Sequence, residues 1–136
     1  MIGRLDLAVR RYLSDHLDEL GVTLAEYTAL SVLRRGGALS NAQLARRSLV
    51  TPQSAIKLSS ALERKGLIER QPDPDHGRIL RARVTSEGQA VLDSCDRVAD
   101  EMETQMLAGL STAERTQLQS ALRSCLHELG AGFGEG

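Results

Sequence analysis

Two helix starts lie so close together between Ser40 and Gly66 that the chain joining them can only turn a corner. Thr51 offers a hydroxyl to free amides and Pro52 has its φ already set for a first helical position, so a helix begins at about Pro52. Gly66 ends it. Within it Ala55, Leu58 and Leu62 recur at helical spacing, while Gln53, Ser54, Lys57, Ala61 and Arg64 fall on other faces. Ser40 caps a second, shorter helix over Asn41 to Arg47 that buries Leu44 and Ala45, leaving Ser48, Leu49 and Val50 as the corner. Two short helices joined this tightly read as a helix-turn-helix. Gln53, Ser54 and Lys57, near the start of the second helix, are side chains that can reach base edges and phosphates in a major groove.

The residues that follow extend the motif. Ile68 to Gln71 has the character of a short strand, Pro72-Asp73-Pro74-Asp75-His76-Gly77 is dense in turn formers, and Ile79 to Val84 alternates as a returning strand does. Arg78 then stands near the tip of a β-hairpin, and the order helix, turn, helix, basic hairpin is that of a winged helix-turn-helix. Charge follows the same map. Residues 34 to 83 hold eleven Lys and Arg against four Asp and Glu, leaving six against fourteen elsewhere, so a net charge of −1 conceals a basic lobe on an acidic remainder. Such a lobe is the footprint of phosphate binding, with a merely solvated face as the bland alternative. Arg34, Arg35, Arg46, Arg47, Arg64 and Lys65 are its candidate phosphate contacts.

The run LSNAQLARRSLVTPQSAIKLSSALERKGLIERQPDPDHGRILRARVTSEG resembles the DNA-binding core of the MarR family of bacterial transcription regulators, down to the LERKGLIER junction and the DPDHGR wing. The resemblance covers nearly the whole chain. It implies a mostly α fold with a small β-wing, a winged helix-turn-helix core flanked by N- and C-terminal dimerisation helices. It also implies a homodimer that binds double-stranded DNA at an inverted repeat, as a repressor relieved by a small-molecule effector. The matching DNA-binding positions are Ser40, Arg46, Arg47, Thr51, Pro52, Gln53, Ser54, Lys57, Arg64 and Arg78, with Gln53 and Lys57 in the major groove and Arg78 in the adjacent minor groove. Family effectors often bind where the dimerisation helices meet the winged helix, and Tyr12, His16 and Tyr27 are the polar-tipped side chains expected nearest that crevice, with ordinary core-edge roles as the alternative. One departure stands out. His76 occupies the position two residues before the wing arginine where the family often has Asp, so the family's wing-bracing ion pair carries over only if Asp75 substitutes for that acid.

The flanks read as helices. Ile2, Leu5, Val9, Leu13, Leu17 and Leu20 form an amphipathic stripe that Gly21 stops, and Thr23 with Glu26 makes a capping box for a helix to about Leu33. Beyond the wing, Thr85 caps a long helix to about Leu107 with the stripe Val91, Cys95, Val98, Met102 and Met106; Ser111 with Glu114 opens a last one. We therefore expect one domain over 1–136, with dimerisation helices at 1–20 and 86–130, the winged helix-turn-helix at 23–84 and a mobile tail at 131–136. Cys95 and Cys125 fall on apolar stripes and read as small buried hydrophobes; a redox-sensing cysteine in the family generally lies near the N-terminus, where this chain has none. His16, His76 and His127 are scattered, no phosphate loop or nucleophile motif occurs, and we expect neither catalysis nor a cofactor nor a metal. The N-terminus lacks an apolar signal core and no stretch approaches a membrane span, which points to the cytoplasm. The competing function is a winged helix used for protein-protein contact, and a cysteine-based redox regulator is a further alternative. Polar and cationic groups on both the second helix and the wing favour DNA.

Overall fold

The computed structural model describes residues 1–130, so the tail 131–136 with Phe133 lies outside the described residues. Among the described residues six helices and three short strands follow one another as α1 (Ile2–Asp18), α2 (Leu24–Gly36), β1 (Leu39–Ser40), α3 (Asn41–Ser48), α4 (Pro52–Arg64), β2 (Ile68–Pro72), β3 (Leu80–Val84), α5 (Ser86–Met106) and α6 (Thr112–Glu128). Packing divides the chain into two compact units, residues 1–102 and the residues from Glu103 onward. No helix among the described residues is long and apolar enough to cross a membrane.

The helix starts are set by local chemistry. Thr23, Ser40 and Ser111 each accept a hydrogen bond from the amide three residues on, and Glu26, Gln43 and Glu114 return the favour to the cap amide. Each such box satisfies two otherwise orphaned donors. Thr51 accepts from the Ser54 amide with Pro52 at the first helical position, and Thr85 accepts from the Gly88 amide while its own hydroxyl donates to the Gly66 carbonyl. At the end of α4 Gly66 takes φ +73°, its amide bonding Glu63 O and that of Leu67 bonding Leu62 O. A side chain there would be strained, and the turn sends Leu67 back under the helix.

The corner between α3 and α4 is different, because it turns on a residue that resists it. Leu49 sits in the left-handed region at φ 55°, and its side chain is 90% exposed. Its neighbours still complete the helix exit, with Val50 N donating to Ala45 O at 3.1 Å. An L-residue there costs about 1 to 2 kcal/mol, whereas glycine gives up roughly 0.5 to 1 kcal/mol of chain entropy. Leu49→Gly should therefore raise stability by about 0.5 to 1 kcal/mol in urea unfolding, and a lower midpoint would show that Leu49 makes contacts that outweigh its backbone strain.

The sheet is antiparallel with strand order β1-β3-β2. Ile68 pairs with Val84 and Pro72 with Leu80, while β1 adds Leu39 opposite Ala82 and Ser40 opposite Arg81. Strand β1 is too short for alternation to announce, and the returning strand starts at Leu80 because the Ile79 backbone belongs to the turn, accepting from Asp73 N and donating to His76 O. The core of the first unit joins Leu17, Leu30, Leu33, Leu44, Leu62, Leu92 and Cys95, all fully buried. Helix α5 turns Leu92 fully inward and leaves Val91, Val98 and Met102 half-buried and Met106 exposed. The expected α5 stripe thus meets the core through Val91, Cys95, Val98 and Met102, with Leu92 added and Met106 left out, and Gly88 lies against the Leu67 carbonyl at the start of the same helix.

Helix α1 uses only part of its apolar stripe. Leu13 and Leu17 are buried with Val9 and Leu20 packed beside them, but Ile2, Leu5 and Leu7 are exposed. In the second unit α6 has no buried residue, and Leu118, Leu122 and Leu129 are exposed. Cys125 is exposed as well, which corrects the expectation of a buried thiol there: α6 has no buried residue, so its apolar stripe is not a core face among the described residues. Arg115 holds the bend before α6, donating to the carbonyls of Leu107 and Leu110.

Candidate nucleic-acid interface

Helix α4 carries the surface in question. Ala55, Ser59 and Leu62 are fully buried and Leu58 packs against the core, which turns Gln53, Lys57 and Arg64 to solvent with Ser60 between them. The buried Ser59 hydroxyl donates to Asn41 Oδ1 at 2.8 Å, pinning α4 to the first residue of α3. A serine among apolar neighbours gives no sign of burial in the sequence; only the crossing of the two helices supplies its partner. Ser54 is half-buried, its amide held by Thr51 Oγ1 and its hydroxyl accepting from the Thr51 hydroxyl at 3.0 Å. That leaves Gln53 and Lys57 as the freer polar groups of the first turns.

Ser40, the cap of α3, is half-buried, whereas Arg46 and Arg47 are exposed in the last turn of the same helix. The Arg47 guanidinium lies close over Gly36 at the end of α2, near carbonyls that favour a cation. Pro52 and Thr51 are exposed at the start of α4, and Arg78 is exposed in the wing turn.

The wing is braced, but not from Asp75. Asp73 is 5% exposed, and its carboxylate accepts from the amides of Asp75 and His76 and from the Arg81 guanidinium. These bonds, the Arg81 contact foremost, hold the Asp73 carboxyl below its ordinary pKa. Arg81 also donates at 3.2 Å to Ala38 O and to Gln43 Oε1, the same oxygen that closes the α3 capping box. One guanidinium thus ties the wing turn, the start of β1 and the start of α3 together. An acid eight residues before its arginine escapes a motif search, because the hairpin register is what brings the two together.

Two of the expected phosphate contacts are engaged within the chain instead. Arg34 donates to Asp96 at 2.7 Å and reaches Asp93 at 3.5 Å. Lys65 bonds the Gly21 carbonyl and the nearly buried Glu26 carboxylate at 2.9 Å. Burial would raise the Glu26 pKa, but the ammonium and the Thr23 amide outweigh it and the group stays ionised. Arg70 is likewise held by Glu63 at 2.5 Å, linking β2 to α4. Arg46, Arg47, Lys57, Arg64 and Arg78 form no side-chain ion pair among the described residues, so α3, α4 and the wing each present cations that are free to meet a partner.

The three residues expected near an effector crevice divide. Tyr12 and His16 stack on α1 with ring centroids 3.9 Å apart, and His16 Nδ1 lies 2.8 Å from the Tyr12 carbonyl. The Tyr27 hydroxyl instead donates to Asp96 at 2.6 Å, which with burial pushes its own pKa up. Tyr27, Arg34 and Asp96 make one polar contact between α2 and α5.

A helix-turn-helix with a free cationic reading face, buttressed by a basic hairpin locked to its first helix, defines a protein of the winged helix-turn-helix DNA-binding class. Known proteins agree. A sequence profile described as the MarR family matches residues 20–79. The HTH-type transcriptional repressor Rv2887 of Mycobacterium tuberculosis is 30% identical over 122 residues, covering 90% of this chain and 88% of that protein. The fold is shared with mutant MarR from E. coli complexed with operator DNA (TM-score 0.81, 22% identity, 92% and 90% of the two chains). It is shared too with CouR from Rhodococcus jostii RHA1 bound to p-coumaroyl-CoA (TM-score 0.76, 21% identity, 91% and 87%). The chain belongs to the MarR family and is a DNA-binding transcriptional regulator.

Proposed function

We propose that the protein is a cytoplasmic repressor that binds an inverted-repeat operator as a homodimer through Gln53, Lys57 and Arg78 and releases it on binding a small-molecule effector. The observation that carries this reading is the exposed cationic surface of α3, α4 and the wing, where Arg46, Arg47, Lys57, Arg64 and Arg78 have no ion-pair partner among the described residues. The exposed leucines of α1 and α6 support pairing of two copies, since that much apolar surface is costly in water. Repression is supported by the Mycobacterium tuberculosis relative, and an effector by the ligand named with CouR. A redox switch at Cys95 is not supported: the thiol is buried and its pKa is pushed up to about 11, far from the thiolate that oxidants attack.

The test is a site selected from random duplexes and measured by fluorescence anisotropy, alongside light scattering for a mass of twice 14.8 kDa. Gln53→Ala should cost about 1 to 3 kcal/mol at the selected site and relax base preference there. Arg78→Ala should weaken binding with less change in preference. A monomer at micromolar concentration, or parent affinity in both variants, overturns the reading. One observation favours protein-protein contact through the wing: Ile79 and Leu80 are 43% and 47% exposed. Salt separates the two, because phosphate contacts release counterions and weaken steeply as salt is added, whereas apolar contacts do not.

A further inference from the structure

We propose that Ile56 is a specificity-determining residue that seats the C5 methyl group of a thymine in each operator half-site, on the base pair beside the one met by Gln53. The inference rests on the DNA-binding reading of α4 and deepens it. Ile56 is the one large apolar side chain that α4 leaves exposed among the described residues, at 50% of its surface. It is not packed against the hydrophobic core. Polar residues flank it on the solvent side, with Gln53, Lys57, Ser60 and Arg64 at helical intervals, and Ile56 lines an open hollow shared with Lys57, Ser60 and Arg64, with Leu58 and Ala61, and with Thr23 and Glu26 at the start of α2. For a solvated helix face this is a poor choice, since a β-branched side chain loses rotamer freedom in a helix and gains nothing from water.

A major groove changes that balance. Thymine is the base that presents a methyl group there, and apolar contact with it is how an aliphatic side chain discriminates. Position within the helix agrees, because the N-terminal residues of a reading helix meet base edges, and Ile56 is the fifth residue of α4. Gln53 and Ile56 are three residues apart, so their side chains lie one above the other about 4.5 Å along the axis. That offset is close to the rise between neighbouring base pairs, roughly 3.4 Å. A glutamine suited to the paired N6 and N7 of adenine therefore stands next to an aliphatic group suited to a thymine methyl.

The experiment uses the full chain and the selected operator. Each thymine of the half-site is replaced in turn by deoxyuridine, symmetrically in both half-sites, and affinity is measured for the parent, Ile56→Val and Ile56→Ala. Deoxyuridine keeps every hydrogen-bonding group of thymine and lacks only the methyl. At one position, adjacent to the base pair whose preference Gln53→Ala relaxes, the parent should lose about three- to fivefold per half-site, about ten- to twenty-five-fold for the dimer. Ile56→Ala should be insensitive to that replacement and Ile56→Val intermediate. Salt-dependent, Gln53-dependent binding in which no position shows a uracil penalty that depends on residue 56 overturns the inference and leaves the DNA-binding reading intact. Absence of salt-dependent binding to any selected duplex overturns both.

Discussion

Inserting five base pairs between the half-sites of the operator should lower affinity by about 30- to 3,000-fold. A dimer with two-fold symmetry presents two copies of α4 to one face of the duplex, each in an equivalent major groove about 10 base pairs from the other. Five extra base pairs rotate one half-site by half a turn, so a single subunit docks with its Gln53 and Lys57 in register. The second set of contacts is then replaced by nonspecific phosphate attraction; whole specific sites typically exceed nonspecific ones by roughly 10³ to 10⁷, and one subunit's half of that free energy is about 30- to 3,000-fold. Anisotropy titrations of the two duplexes at one salt concentration measure the difference. Selected sites without two-fold symmetry, or equal affinity for both spacings, would sink the proposed dimeric mode of binding.

The second large effect lies at Gly88, near the start of α5. A Cβ there would come within 2.0 Å of the Leu67 carbonyl oxygen and 2.8 Å of Val84 Cγ1. The oxygen cannot step aside cheaply, because it already accepts from the Thr85 amide at 3.1 Å while the Leu67 amide is committed to Leu62 O. Gly88→Ala gains roughly 1 kcal/mol of helix propensity and loses more to overpacking, so it should destabilise by about 3 kcal/mol or unfold the protein. Gly3 supplies the control, since a Cβ there meets nothing within 4 Å and Gly3→Ala in α1 should be neutral or stabilising. Urea midpoints read both. Equal stability of Gly88→Ala and the parent would mean that α5 does not lie against the end of α4 as described.

These two predictions differ in how far the sequence alone supports them. Residues whose partners lie three or four positions away were legible: the caps Thr23, Ser40, Thr51 and Ser111, the stop at Gly66, and the inward Leu44, Ala45 and Leu62 all stand where local chemistry requires. Contacts closed by the tertiary fold were not. Lys65 and Arg34 read as free cations because Glu26 and Asp96 lie 39 and 62 residues away from them in the chain. The brace from Asp73 to Arg81 has no sign in the sequence, where Asp75 is the acid that stands nearest the family's position, since only the hairpin register shows which acid faces which arginine. On α5 the stripe Val91, Cys95, Val98 and Met102 does face the core, but periodicity does not show that Leu92 is the deepest residue, since the close approach at Gly88 helps to decide which side of the stripe is pressed inward.

Ser40 does two jobs at once: it is the last residue of the sheet's edge strand, opposite Arg81, and the cap on which α3 begins. Considered as a linkage of rigid parts, this leaves no joint between the sheet and the helix-turn-helix. A wing attached through a linker could swing about it, whereas here a swing would break the Leu39 to Ala82 ladder and the α3 cap together. Residues 39–84 therefore have few internal degrees of freedom. Any effector that alters the distance between two copies of α4 would have to displace each reading head as a whole, with its hinge outside that segment.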